Sequence, residues 1–247
     1  MSAPPGHMEM ISVLGEDPDL ARGLPHGAHE SAQSAALAPL VTWEPGVQAT
    51  GIGEPPTQPH LGYLVLDGLI TVHLRFGSIW STELLGPSDV FLPWAMSTRV
   101  EVAEARWEAL APTRLAELDG GFATRVRPWP ELTAALLDRY AERLASQLLQ
   151  SALRRARRVE DRIWVALWHF ATRWGRVCAD GRRVELPKVT GEVLANIVGA
   201  RRQSVSTALT ILTDRGAIHR EPDGGWLILQ EPPHLGLEAT RTPQLAS

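Results

Sequence analysis

Residues 186–229 read LPKVTGEVLANIVGARRQSVSTALTILTDRGAIHREPDGGWLIL, and this stretch decides the fold of the C-terminal part of the chain. Thr190 is placed to cap a helix with its side-chain oxygen, and Val193, Leu194, Ile197 and Val198 form one apolar stripe along it. Gly199 supplies the backbone freedom that a sharp interhelical turn needs. From Arg202 onward, Val205, Leu209 and Leu212 recur at helical spacing and face a core, which leaves Arg202, Gln203, Ser206, Thr207 and Thr210 on the outer side. Gly216 ends that helix, and Ala217–Glu221 and Trp226–Gln230 alternate around the turn Pro222-Asp223-Gly224-Gly225. Helix, tight turn, second helix and small hairpin make the layout of a winged helix-turn-helix, which sets its second helix into the major groove of DNA. The bland alternative is a helical hairpin with a solvated polar face. The glycine, the paired arginines and the trailing hairpin argue together against it.

The same residues carry a resemblance. Leu194, Gly199, Arg202, Gln203, Val205, Ser206, Leu209, Leu212, Gly216 and Ile218 fit the pattern L-x-x-x-x-G-x-x-R-[E/Q]-x-V-[S/G]-R-x-L-x-x-L-x-x-x-G-x-I. The segment therefore resembles the DNA-binding domain of the cyclic-AMP receptor protein/FNR superfamily of bacterial transcription regulators. The resemblance implies that Arg202 is the base-reading arginine and that double-stranded DNA is the partner. DNA contacts are then expected from Arg201, Arg202, Gln203, Ser204, Ser206 and Thr207, with Thr190 beside them at the start of the first helix. Gln203 stands where glutamate is more usual, and Thr207 where an arginine commonly follows. Both positions face bases, so the operator should differ from the best-known ones of the family.

Composition suits a regulator of two domains. The chain has 247 residues and a formal charge of −4, but the charge is divided: residues 138–220 carry sixteen Lys/Arg against eight Asp/Glu, the remainder eight against twenty. Only the basic part is suited to approach phosphates. No apolar run is long enough for a membrane span, and the first residues lack the basic start and apolar core of an export signal, so a cytoplasmic protein is expected. The single cysteine, Cys178, excludes an internal disulfide and any four-thiolate metal cluster within one chain. The histidines show no metal-binding spacing. His73 is open to two readings, haem ligand or ordinary strand residue. Arg154-Arg155-x-Arg157-Arg158 is either a nucleic-acid patch or the solvated end of a long helix.

That helix is read over residues 131–157, free of Pro and Gly. Leu132, Leu136, Leu137, Tyr140, Leu144, Leu148 and Ser151 mark a seam near the 3.5-residue period. In the resembled family this helix pairs with its twin about a two-fold axis. The resemblance thus implies a homodimer with Leu136, Leu137, Tyr140, Leu144 and Leu148 in its interface, while packing inside the same chain is the alternative. A further helix from Arg158 to Trp174 would open the DNA-binding domain, residues 158–231, followed by a loose tail, 232–247. RNA polymerase is a further candidate partner.

The N-terminal half reads as strands. Gly62–Leu74 is two apolar runs around Asp67-Gly68, a hairpin signal, and it resembles the family's L-Y-Y-I-V-x-G-x-V-x-V. Leu84–Val90 resembles the L-x-x-G-D-x-[IF] run that enters the ligand cassette. The expected fold class is α+β: a double-stranded β-helix of jelly-roll type over residues 39–130, the long dimerisation helix, and the winged helix-turn-helix. Residues 1–38 are Pro-, Gly- and Ala-rich and are expected to be a partly disordered arm with a short helix over His29–Ala38.

At the ligand cassette the resemblance fails. A cyclic nucleotide needs glycine N–H donors, a glutamate and an arginine, written G-E-[LIV] and then R-[ST]-A. Here Leu92 and Pro93 take the first places, and proline has no N–H. Spacing puts Ala103-Glu104 near the arginine pair, where a carboxylate repels phosphate. Cyclic AMP is therefore not expected to bind, unless Arg99 or Arg106 substitutes. No cofactor is evident. An unidentified small effector remains open, with Trp94, Arg99, Arg106 and Gln147 as pocket candidates. The tryptophans are equally readable as core, and Gln147 either bonds across the two-fold axis or faces an effector. No catalytic motif appears. The alternative to a regulator is an enzyme built on the β-roll with a DNA-binding appendage.

Overall fold

The computed structural model describes residues 9–48, 57–96, 104–186, 188–222 and 224–233. In chain order the elements are β1 (Met10–Ser12), α1 (Val13–Glu16), a 3-10 turn (Pro18–Ala21), α2 (His29–Ala35), β2 (Leu37–Trp43), β3 (Gly46–Gln48) and β4 (Tyr63–Asp67). There follow β5 (Ile70–Phe76), β6 (Ile79–Leu85), β7 (Val90–Phe91), a 3-10 turn (Pro93–Met96), β8 (Glu104–Ala109), β9 (Thr113–Glu117), α3 (Gly120–Val126) and α4 (Pro130–Leu153). The C-terminal part holds α5 (Val159–Trp174), β10 (Arg176–Cys178), β11 (Gly181–Val184), α6 (Gly191–Val198), α7 (Arg202–Asp214), β12 (Ile218–Arg220) and β13 (Trp226–Ile228). Two compact units divide at Leu148–Leu149, inside α4.

The first unit is built on two antiparallel sheets, one ordered β1-β2-β9-β4-β7 and one β3-β8-β5-β6. Val65, Leu115 and Phe91 of the first sheet pack with Ile70, Val72, Leu85 and Trp107 of the second into one buried cluster. Their chain neighbours Leu64, Ala116 and Val90 point the other way and join a second cluster with α1, α2, α3 and the start of α4. Successive strand residues face opposite sides, so a sheet covered on both faces needs an unbroken apolar run. Tyr63-Leu64-Val65-Leu66 is that run.

Two expectations are corrected here. Asp67-Gly68 does not turn a hairpin: β4 pairs with β7 and β9, while β5 pairs with β6 and β8, so the chain steps between sheets at this point. Gly68 has φ +93°, and a Cβ would run into Thr113 and the Pro112 carbonyl. The hairpin proper joins β5 to β6 through Gly77-Ser78, with Phe76 opposite Ile79. The N-terminal arm, expected to be partly disordered, is packed from residue 9 on. Its β1 pairs with β2, and Val13, Leu14, Leu20, Leu24 and Ala32 are buried. Local composition concealed this because the arm's few apolar residues meet partners distant in sequence. Its helix ends at Ala35, three residues earlier than expected.

In the second unit α5 packs on both α6 and α7, with Ile163, Leu167 and Phe170 buried. The expected wing is the pair β12–β13, and β10 and β11 extend it into a four-stranded sheet ordered β10-β11-β13-β12. The β10–β11 hairpin was not foreseen: Arg176-Val177-Cys178 and Gly181–Val184 are short and polar, and their pairing is fixed by β13.

His169 on α5 is largely covered. Burial, reinforced by the charge of Arg173, lowers its pKa from 6.5 to about 4. Folding thus favours the neutral ring, whereas the unfolded chain takes up a proton below about pH 6.5. Its stabilising effect is full above that pH and fades as pH falls toward 4. Thermal unfolding should show the midpoint falling between pH 6.5 and 4 in the wild type and falling less in His169→Gln. Parallel curves for the two proteins would remove His169 as the cause.

Candidate nucleic-acid interface

α6 starts as the sequence implies, with the Val193 N–H donating to Thr190 Oγ1 at 3.2 Å. It ends at Gly199, whose φ of +64° is left-handed, a conformation that disfavours any residue with a Cβ. α7 begins after Arg201, which makes no side-chain cap. The N–H groups of its first turn are thus left without that local acceptor, the arrangement that attracts anions to helix N-termini.

The orientation of α7 follows from which residues it buries. Val205, Ala208 and Leu212 are buried, at i, i+3 and i+7, while Leu209 is half-buried. Arg201, Arg202, Gln203, Ser206, Thr207 and Thr210 are exposed on the other side, and Ser204 is half-buried at the border. The structure therefore brings the expected DNA-contact residues of α7 to one surface, with Thr190 exposed at the start of α6. The Thr207 hydroxyl donates to the Gln203 carbonyl and the Thr210 hydroxyl to the Ser206 carbonyl, each at 3.2 Å. Both can rotate outward toward a ligand without leaving a buried group unpaired. The wing is braced by the Arg220 guanidinium lying 4.4 Å above the Trp226 ring and by Arg183–Glu221 at 2.9 Å.

The sensor candidates are not brought together into one site. Arg99 lies outside the described residues, as does Ala103. Arg106 is exposed on β8, opposite His73. Trp94 is half-buried against His60, ring centroids 4.8 Å apart, and near Tyr63 at 6.4 Å. His60 accepts the Gly62 N–H at Nδ1, 2.9 Å away, so in the neutral ring the proton sits on Nε2, which faces Glu117 Oε1 at 3.3 Å. The Tyr63 hydroxyl donates to the same oxygen. The hydrogen bond from His60 holds Glu117 below the usual carboxylate range, while burial, aided by Glu117, pushes Tyr63 up to about 12. His73 has Nδ1 2.8 Å from Thr82 Oγ1 and Nε2 3.7 Å from Glu108, which suits the strand reading.

Gln147 is tied down. Its amide donates to Glu83 Oε2 at 2.8 Å, and Arg143 donates to both oxygens of the same carboxylate, each at 2.8 Å. Burial pulls the Arg143 pKa down, but the hydrogen bond and charge of Glu83 outweigh it and leave the guanidinium above its ordinary value. Glu83 and Arg143 were missed. Glu83 sits between Thr82 and Leu84 on β6, where nothing local signals a helix overhead. Leu136, Tyr140, Arg143 and Gln147 recur at spacings of four, three and four, which is the signal that could have found Arg143.

The proposed seam on α4 is also divided. Leu132 and Leu136 are 2% and 4% exposed, inside their own unit's core. The Tyr140 hydroxyl donates to the Leu61 carbonyl at 2.8 Å. Leu136 and Tyr140 therefore leave the expected interface, because the first unit already covers them. Leu137, Leu144 and Leu148 remain outside at 61%, 58% and 64% exposure.

Residues 142–236 match the family model of a Crp-like helix-turn-helix domain. In fold the chain is similar to a mutant of CooA from Carboxydothermus hydrogenoformans, with 19% identity, 89% of this chain and 92% of that one covered, and a TM-score of 0.59. FixK2 from Bradyrhizobium japonicum is similar at 15% identity, with 78% and 93% covered and a TM-score of 0.59. A CRP/FNR-family transcriptional regulator from Thermus thermophilus is similar at 22% identity, with 77% and 93% covered and a TM-score of 0.55. No curated protein sequence matches the chain. Among the described residues no helix is long and apolar enough to cross a membrane, and no three His, Cys, Asp or Glu side chains converge as metal ligands.

Removing one partner of a covered ion pair leaves the other charge uncompensated. Glu83→Ala should therefore lower unfolding stability by roughly 2–4 kcal/mol, read by urea denaturation. A loss below about 0.5 kcal/mol, the range of an exposed pair, would show that water replaces the carboxylate freely.

Proposed function

We propose that this chain is a transcription regulator of the CRP/FNR superfamily, as its Crp-like helix-turn-helix domain and its fold support, and that it acts in the bacterial cytoplasm as a homodimer that reads an inverted-repeat operator through α7. The observation that carries this reading is the split of α7 itself. Its buried stripe seats it on α5, and Arg201, Arg202, Gln203, Ser206 and Thr207 occupy the exposed opposite face. In the major groove Arg202 presents a planar fork that matches guanine O6 and N7, a pairing worth about 1–3 kcal/mol of discrimination. Gln203 and Thr207 adjust the neighbouring bases, and Arg201, Ser204 and Thr190 hold phosphates.

The dimer reading rests on Leu137, Leu144 and Leu148, spaced seven and four on α4 and each more than half exposed. An apolar ridge of this kind on a helix is the seam of a coiled coil. Two copies joined along it would place their recognition helices on half-sites about one helical turn apart, roughly 34–36 Å. RNA polymerase is the natural further partner of a protein bound at such a site.

The effector is not cyclic AMP in this reading. Pro93 has no N–H to donate to a phosphate, and neither Leu92 nor Pro93 offers a carboxylate for a ribose hydroxyl. Gln147 is engaged by Glu83 instead. An enzyme on the β-roll is the second class of function, and turnover by the purified protein would be needed to revive it.

Three measurements test the reading. Arg202→Ala should weaken binding to the operator about tenfold or more, by the discrimination above, while sparing salt-dependent binding to random duplex. Equal loss on both would reduce Arg202 to a phosphate contact. Leu144→Asp, a change on an exposed residue, should leave the monomer folded but shift sedimentation toward it and weaken operator binding. A variant that stays dimeric places the interface elsewhere. Calorimetric titration with millimolar cyclic AMP should give no saturable heat, and micromolar binding would overturn the effector reading.

A further inference from the structure

The last turn of any α-helix leaves its final carbonyls without N–H partners from the next turn. In α6 the Ala195 carbonyl is taken by the N–H groups of Gly199 and Ala200. The next four carbonyls are all met by two arginines from outside the helix. Arg154 donates to Asn196 and Ile197, at 3.4 and 3.3 Å. Arg162 donates to Val198 and Gly199, at 3.4 and 3.1 Å, and also to the Ala156 carbonyl at 2.8 Å. Three of the four bonds to these carbonyls are longer than 3.2 Å, but the two cations also lie at the negative end of the helix dipole. Arg154 follows directly on α4, and Arg162 lies in the first turns of α5.

The space around the turn is shaped to the same contact. A Cβ on Gly199 would come 3.2 Å from Arg154 Cγ, so the arginine's stem lies against the bare glycine. Burial lowers the Arg154 pKa, in keeping with a guanidinium drawn out of water rather than one displayed for phosphate. Its neighbours Arg155 and Arg157 are exposed. The basic run thus divides by role.

We propose that Arg154 is a positioning residue for DNA recognition: with Arg162 it clamps the carbonyl end of α6 and fixes the Gly199 turn that aims α7. The inference rests on the DNA-binding reading above for its consequence, but the clamp itself can be tested without DNA. The turn has only two residues, Ala200 and Arg201, between Gly199 and the first residue of α7. Loosening the end of α6 therefore rotates or frays the start of α7, where Arg202 and Gln203 sit.

The test uses the full-length chain in two arms. Amide hydrogen exchange should rise about tenfold at Gly199 and Ala200 in Arg154→Ala, the scale of one or two lost hydrogen bonds. Arg154→Lys, which keeps a cation at the dipole, should recover part of that protection, and Arg155→Ala should change nothing. In the second arm, operator affinity of Arg154→Ala should fall about tenfold with the slope of log K against log salt unchanged. A phosphate contact would instead reduce that slope by about one. Unchanged exchange at the turn overturns the clamp, and unchanged operator affinity with raised exchange overturns its positioning role. If Arg154→Lys is the only variant that folds, it carries both arms: an ammonium lacks the planar fork that Arg154 holds across the two carbonyls, so intermediate exchange is expected and wild-type exchange overturns the clamp. Should no duplex be bound specifically even by the wild type, the regulator reading fails while the exchange result still decides the clamp.

Discussion

The second unit depends on the seat of α7. Val205, Ala208 and Leu212 recur on one side of a span of about two turns, and their burial determines which side is left outside. The polar face carries no structural burden beyond that: its threonines bond back to their own helix, and its arginine and glutamine are exposed. The exposed side chains of this face can therefore change without disturbing the core. Glutamine in place of glutamate at Gln203 and threonine in place of arginine at Thr207 fall in that freely variable layer.

α4 is governed by a different constraint, since one of its sides is packed in the first unit while another carries exposed leucines. Leu132, Leu136, Tyr140, Arg143 and Gln147 are committed to the first unit by burial, a carbonyl bond and a shared carboxylate. Leu137, Leu144 and Leu148 stay more than half exposed among the described residues. A helix of this length turns through all directions several times, so one seam period can serve both sides only by dividing its residues between them. That is why a single heptad reading gathered residues that the structure separates. An Arg–Glu pair rather than more leucine on the inner side has a physical sense. A fork on a carboxylate fixes the rotation of the helix about its axis, whereas apolar contacts tolerate sliding.

The parts legible in sequence were those set by local chemistry. Thr190, Gly199 and the alternation of buried and exposed residues along α7 are decided within a few neighbours, and the helix-turn-helix emerged from them residue by residue. The apolar run at Tyr63–Leu66 correctly signalled a strand, but its partner could not be read. An Asp-Gly step is compatible with a hairpin or with a crossing between sheets, and the pairing of β4 with β7 and β9 and of β5 with β6 and β8, of which β8 and β9 are distant in sequence, decides. The N-terminal arm was misjudged for the same reason: Val13, Leu14 and Ala32 are unremarkable until β2 and α3 are beside them. Arg154 was legible as a cation and illegible as a cap, because the carbonyls it meets lie more than forty residues away.

The same argument bears on what could regulate the first unit between β6 and α4. Both oxygens of Glu83 are already used, by two bonds from Arg143 and one from Gln147. An anionic ligand arriving at Arg143 would exchange one carboxylate-type partner for another and leave Glu83 charged and poorly solvated. Its net gain is therefore small, and a ligand shifts an equilibrium only by its difference in affinity for the two states. An anion that merely replaces Glu83 has little such difference to offer. A neutral ligand that leaves the Glu83–Arg143 pair intact escapes the penalty. The chemistry around Glu83 thus disfavours a phosphate-bearing effector at this place independently of the missing cassette residues.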